Sequence, residues 1–184
     1  MTSDDQDINF TPRSQKLLQL CKEIASKFNY TEVTTTHLFA AFFELKKSRC
    51  IEILAEAGLD LNQFKQHLYS TVLKKQPEKL KPNEFKITSS VKEVITHARE
   101  LAGDLGHSWV SAEHIFLAFF KDLDEMPEEI TLFLGVDLNF VTSKILEYLC
   151  DNEQDSKVSG VTDGGIQELL SNTGPQPSFP LLEK

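Results

Sequence analysis

Val33-Thr34-Thr35-Thr36-His37-Leu38-Phe39-Ala40-Ala41-Phe42-Phe43 returns 77 residues later as Val110-Ser111-Ala112-Glu113-His114-Ile115-Phe116-Leu117-Ala118-Phe119-Phe120. The same offset continues outward without a gap. Glu23 falls on Glu100, Ala25 on Ala102, and Gly58, Asp60, Leu61 and Asn62 on Gly135, Asp137, Leu138 and Asn139. A register held this long marks one fold unit copied twice. The copies span 10–73 and 87–150, with 74–86 as connector.

Each copy reads as four helices. Thr11 is a natural N-cap and Pro12 suits the first helical position. Leu17, Cys21, Ile24 and Phe28 follow at helical spacing. Thr34 or Thr35 caps a second helix that is apolar nearly all round, as burial on several sides requires. A third helix over 51–57 stops at Gly58, and Asp60 caps a fourth that carries Leu61, Phe64, Leu68 and Val72. In the second copy Ser111 and Asp137 are the corresponding caps, and Pro127 opens the third helix. No stretch alternates with period two, so strands are not expected. The expected fold is all-α: two tandem four-helix repeats about a pseudo-twofold, with the two apolar second helices at the centre.

Of the 184 residues, 40% are hydrophobic and 26% charged, an ordinary globular balance. The net charge of -9 lies mainly in the tails. Residues 1–9 carry Asp4, Asp5 and Asp7 and form an acidic, flexible start. Residues 151–184 carry six acids against two lysines, with Gly and Pro recurring as in a flexible linker. The nearly neutral body has no nucleic-acid footprint. The lysine-rich connector, Lys74 to Lys86, is either a solvated loop or a patch for an acidic partner. No apolar run is long enough to span a membrane, and no secretion signal opens the chain. Cys21, Cys50 and Cys150 stand far apart, which fits a reducing cytoplasm better than a disulfide or zinc framework.

No Gly-x-x-x-x-Gly-Lys-Ser/Thr element occurs, so ATP hydrolysis is not expected from this stretch, and no catalytic motif, metal site or cofactor is expected either. His37 and His114, each in the first turn of a second helix, read as hydrogen-bonded structural histidines. Trp109 aligns with Glu32 and is either an exposed anchor for a partner or packed on the connector.

The duplicated pattern resembles the amino-terminal domain of the Clp ATPase chaperones, of the ClpA, ClpC and ClpB kind. The residues that carry the resemblance are Leu105-Gly106-His107, Ala112-Glu113-His114-Ile115 and Gly135-Val136-Asp137-Leu138 in the second copy. In the first copy they are Phe10-Thr11-Pro12-Arg13, Thr35-Thr36-His37-Leu38 and Gly58-Leu59-Asp60-Leu61. The resemblance implies a non-catalytic domain, a monomer when isolated, that docks adaptors and unfolded or tagged substrates for a Clp ATPase ring. The ring stands in cis or, for a free-standing modulator, in trans. It further implies that, as in some ClpC-type members, a Thr near the start of a repeat and the Glu before the His hold a phosphorylated arginine. Those positions are Thr88 and Glu113 in the second copy. The first copy keeps Thr11 but has Thr36 for the acid and Asn29-Tyr30 for Gly-His. Either Thr88 and Glu113 serve this purpose, or they are helix-start residues only. The loops before the second helices, which hold Tyr30 and His107, are the expected docking edges. A small helical enzyme is the rival reading, and it requires a deep polar pocket.

Overall fold

The computed structural model describes residues 9–77, 86–121 and 128–152. The acidic start, the tail after Asn152, Pro127 and most of the connector's charges lie outside these residues. Among the described residues eight α-helices run in chain order: α1 (Pro12–Lys27), α2 (Thr35–Glu44), α3 (Arg49–Glu56), α4 (Leu61–His67), α5 (Ser89–Asp104), α6 (Ala112–Lys121), α7 (Glu128–Leu134) and α8 (Leu138–Asp151). α1 and α5, and α2 and α6, keep the 77-residue offset at both ends. Copy one departs in its fourth helix, where α4 passes into a π-helical turn at Leu68–Val72, while α8 stays α-helical throughout.

Local chemistry sets these boundaries. Thr11 Oγ1 accepts from the Ser14 N–H and Thr88 Oγ1 from the Val91 N–H, capping α1 and α5. Asp60 and Asp137 cap α4 and α8 in the same manner. Gly106 has φ +74, and its counterpart Asn29 takes the same left-handed turn at φ +62. Asn accepts this conformation more readily than other side-chain-bearing residues, so the loss of the glycine leaves the turn intact.

Contrary to the sequence-based expectation, the described residues include four two-residue strands: β1 (Asn9–Phe10), β2 (Glu32–Val33), β3 (Lys86–Ile87) and β4 (Trp109–Val110). They form two parallel pairs. Asn9 and Phe10 lie opposite Trp109 and Val110, and Lys86 and Ile87 opposite Glu32 and Val33. Two residues are too few to show alternation, and each pair joins one copy to the other. The pairing is reciprocal, as a twofold relation between the copies requires.

The core is centred where α2 meets α6. Phe42 and Phe116 ring centroids are 4.9 Å apart, Phe39 and Phe119 5.7 Å, and Phe39 and Phe116 6.3 Å. Such edge and offset contacts add about 0.5–1.5 kcal/mol per pair beyond area burial. Phe39, Phe42, Phe116 and Phe119 are buried, whereas Phe43 and Phe120 are half-buried at the margin. Among the described residues, no helix is long and apolar enough to cross a membrane.

Candidate functional site

The exchanged strands decide which helix ends meet. β1 delivers the start of α1 to the start of α6, although they belong to different copies. The Thr11 N–H donates to the Val110 carbonyl at 3.0 Å, and Ser14 Oγ lies 2.8 Å from the same oxygen. The C-terminal turn of α8 closes the third side. Between them is a cavity of about 310 Å³ lined by Thr11, Arg13, His107, Glu113, Tyr148 and Leu149, among others.

The α6 start is organised by a histidine. The Ser111 N–H donates to His114 Nδ1 at 2.9 Å, and the His114 N–H reaches back to Ser111 Oγ at 3.4 Å. This is a capping box with imidazole in the place usually taken by Glu or Gln. Because Nδ1 accepts a backbone hydrogen bond, the neutral ring carries its proton on Nε2. Nε2 donates it to His107 Nδ1 at 2.9 Å. Burial, with His107 as a smaller contributor, lowers the His114 pKa to about 3. Both imidazoles therefore hold a fixed hydrogen-bond polarity on this wall of the cavity.

Glu113 stands beside them and is buried. Burial raises its pKa, against the opposing pull of its backbone hydrogen bond, Arg13, Ser111 and Cys50. Cys50 Sγ makes a long 3.9 Å contact to its Oε2. Arg13, exposed at the mouth, donates to the Lys47 carbonyl at 2.9 Å. The cavity thus presents a carboxylate at depth and a guanidinium at its rim. Among the described residues no cluster of His, Cys, Asp and Glu could hold a metal ion.

At the pseudo-symmetric position the arrangement is different. The Thr34 N–H donates to His37 Nδ1 at 2.9 Å, so the capping box is kept. Tyr30 replaces His107, and its ring meets His37 edge-on at 4.5 Å, leaving buried His37 Nε2 without a hydrogen-bond partner. The connector then covers this corner. The Gln76 N–H donates to the Phe28 carbonyl at 2.9 Å, Asn29 Nδ2 donates to the Gln76 carbonyl at 2.9 Å, and Gln76 Nε2 donates to the Tyr30 hydroxyl at 3.3 Å.

The expected site residues therefore separate into two groups. Thr11, His107 and Glu113 share the cavity. Thr88 belongs to the opposite crossing, where its N–H donates to the Val33 carbonyl at 3.2 Å, and so do Tyr30 and half-buried Thr36. The crossing of the strands places Glu113 at the same cavity as Thr11, and Thr88 is not among the residues lining it. Trp109 is half-buried, with its backbone beside Asn9 of β1. Arg13, Tyr148 and Asn152, missed in the sequence, also line the cavity. Arg13 closes the Phe10–Arg13 motif without being marked there as a site residue, and no local motif marks Tyr148 and Asn152, which come from the far end of α8.

Comparisons with known proteins agree with this architecture. The chain is 27% identical over 163 residues to the negative regulator of genetic competence ClpC/MecB of Bacillus subtilis, covering 89% of this chain and 20% of that protein. It is 26% identical over 152 residues to the chaperone protein ClpB of Oceanobacillus iheyensis, covering 82% of this chain and 18% of that protein. The chain thus spans about a fifth of the length of these relatives. In fold it is similar to the Hsp104 N-terminal domain from Candida albicans, with a TM-score of 0.66 at 19% identity, covering 76% of this chain and 91% of that one. It is similar also to the N-terminal domain of ClpD from Arabidopsis thaliana, with a TM-score of 0.61 at 19% identity, covering 77% of this chain and 94% of that one. The Clp repeat (R) N-terminal domain profile matches residues 9–131, and the chain belongs to that family.

Proposed function

We propose that this domain is a non-catalytic docking module that receives adaptor or client proteins for a Clp-type ATPase in the cytoplasm. The observation that carries the reading is the cavity where α1, α6 and α8 converge, with Glu113 at depth and Arg13 at the mouth. A side chain with a cationic inner part and an anionic outer end fits this polarity. Phosphoarginine is such a side chain, with its guanidinium toward the Glu113 carboxylate and its phosphate toward Arg13 and the positive end of α1. Thr11 is the threonine of this site. A rigid wall of hydrogen-bonded imidazoles keeps the cavity open without spending ligand affinity on ordering it.

The test is isothermal titration with a phosphoarginine peptide, its unphosphorylated form and a phosphoserine form, together with candidate adaptors. Preferential binding of the phosphoarginine peptide or of an adaptor, weakened at least about tenfold in Glu113→Gln, supports the proposal. Absence of binding by every peptide and adaptor up to about 1 mM overturns it.

A further inference from the structure

Four exposed cations lie on two segments of copy one that a hydrogen bond joins, the start of α1 and the loop after α2, and one of them, Arg13, lines the cavity. Arg13 and Lys16 lie one turn apart on α1 and share a face, and all four of Arg13, Lys16, Lys46 and Lys47 are exposed. The hydrogen bond from Arg13 Nη2 to the Lys47 carbonyl ties the loop after α2 to α1. Lys47 holds φ +55, a left-handed backbone in which glycine or asparagine is less costly. The ion pairs among the described residues are Arg49 with Glu52 and Glu56, Lys65 with Glu44, and Lys144 with Glu147. None involves the four cations.

The fold does not require this charge. At the 77-residue offset the same positions are Ser90, Glu93, Leu123 and Asp124, with no cation among them. One copy of the repeat therefore carries a fourfold positive rim in a chain whose net charge is -9. We infer that Arg13, Lys16, Lys46 and Lys47 form a docking rim for an acidic segment of a partner protein. Complementary charge steers encounter and fixes the direction of approach more than it sets affinity. A polypeptide suits the place better than a nucleic acid. The rim borders a cavity with a carboxylate inside, which repels a continuous phosphate backbone, whereas a peptide can alternate acidic and neutral side chains.

The experiment uses the full chain and fluorescence anisotropy. The probes are a labelled twelve-residue peptide of alternating Glu and Ser, the same peptide with Gln for Glu, and a single-stranded oligonucleotide of matching charge. None carries phosphoarginine, and the variants, Lys16→Glu and Lys46→Glu/Lys47→Glu, leave the cavity lining intact. Failure here is therefore distinguishable from failure of the cavity reading. The expected result is binding of the Glu peptide over both controls, weakened as salt rises and reduced about tenfold or more in the double variant. Circular dichroism verifies that the variants fold. Equal or tighter binding of the oligonucleotide, an unchanged affinity in folded variants, or no binding of the Glu peptide at low salt each overturns the inference.

Discussion

His114 Nε2 donates to His107 Nδ1 at 2.9 Å, whereas its counterpart His37 meets the ring of Tyr30 and leaves Nε2 unpaired. Two identical histidines, holding identical capping boxes, are thus completed in different ways. One becomes part of a cavity wall, and the other is closed over by the connector through Gln76.

Replacing the cavity-side imidazole separates capping from networking. His114→Ala removes the acceptor for the Ser111 N–H and the donor to His107, and is expected to cost about 2–4 kcal/mol in urea unfolding. His114→Gln keeps a side chain able to reach the Ser111 N–H. It should cost clearly less. Equal losses in the two variants would show that the capping box contributes nothing.

Acid should destabilise the domain through these rings. Burial lowers the His37 pKa to about 4, and burial and His107 lower that of His114 to about 3. Below about pH 6.5 the unfolded chain takes up protons that the folded chain refuses, so stability is full above that pH and falls toward 4. The slope is about 1.4 kcal/mol per pH unit for each imidazole. Urea midpoints at pH 7, 6 and 5 measure it, and His37→Gln/His114→Gln should flatten the dependence. A wild-type curve already flat over this range would contradict the lowered pKa values of the two buried rings.

Glu113 should trade stability for binding. Its pKa is raised, chiefly by burial, so the ionised form is disfavoured in the folded chain. Between the unfolded and folded pKa values, stability is lost as pH rises. Glu113→Gln is therefore expected to raise the melting temperature at pH 7 by about 1–3 °C while weakening cationic ligands. A lower melting temperature would mean that the carboxylate is held by more than its present neighbours.

The phenylalanine core should respond by position. Phe39→Ala and Phe116→Ala each empty a buried site between α2 and α6 and are expected to cost about 3–5 kcal/mol in urea unfolding. Phe10→Ala belongs with them, since Phe10 is buried in β1 beneath the Arg99 guanidinium, 5.1 Å from its ring. Phe120→Ala, at the half-buried margin, should cost less. A smaller loss for Phe10 than for Phe120 would show that the strand exchange does not stabilise the fold.

The helices, their caps and the central phenylalanines were legible in the residues because their causes are local. Thr11 needs only the Ser14 N–H, Asp60 only that of Gln63, and an apolar stripe repeats every three or four positions. The duplication, too, is a property of the string itself. The crossing of the strands was not legible, since it joins Ser14 to Val110 across 96 residues and two-residue pairings leave no periodic trace. That crossing put Glu113 and Arg13 at one cavity with Thr11. Sequence determined what each copy is made of. Only tertiary packing decided which ends of the two copies face one another, because hydrogen bonds and charges act across space without regard to separation along the chain.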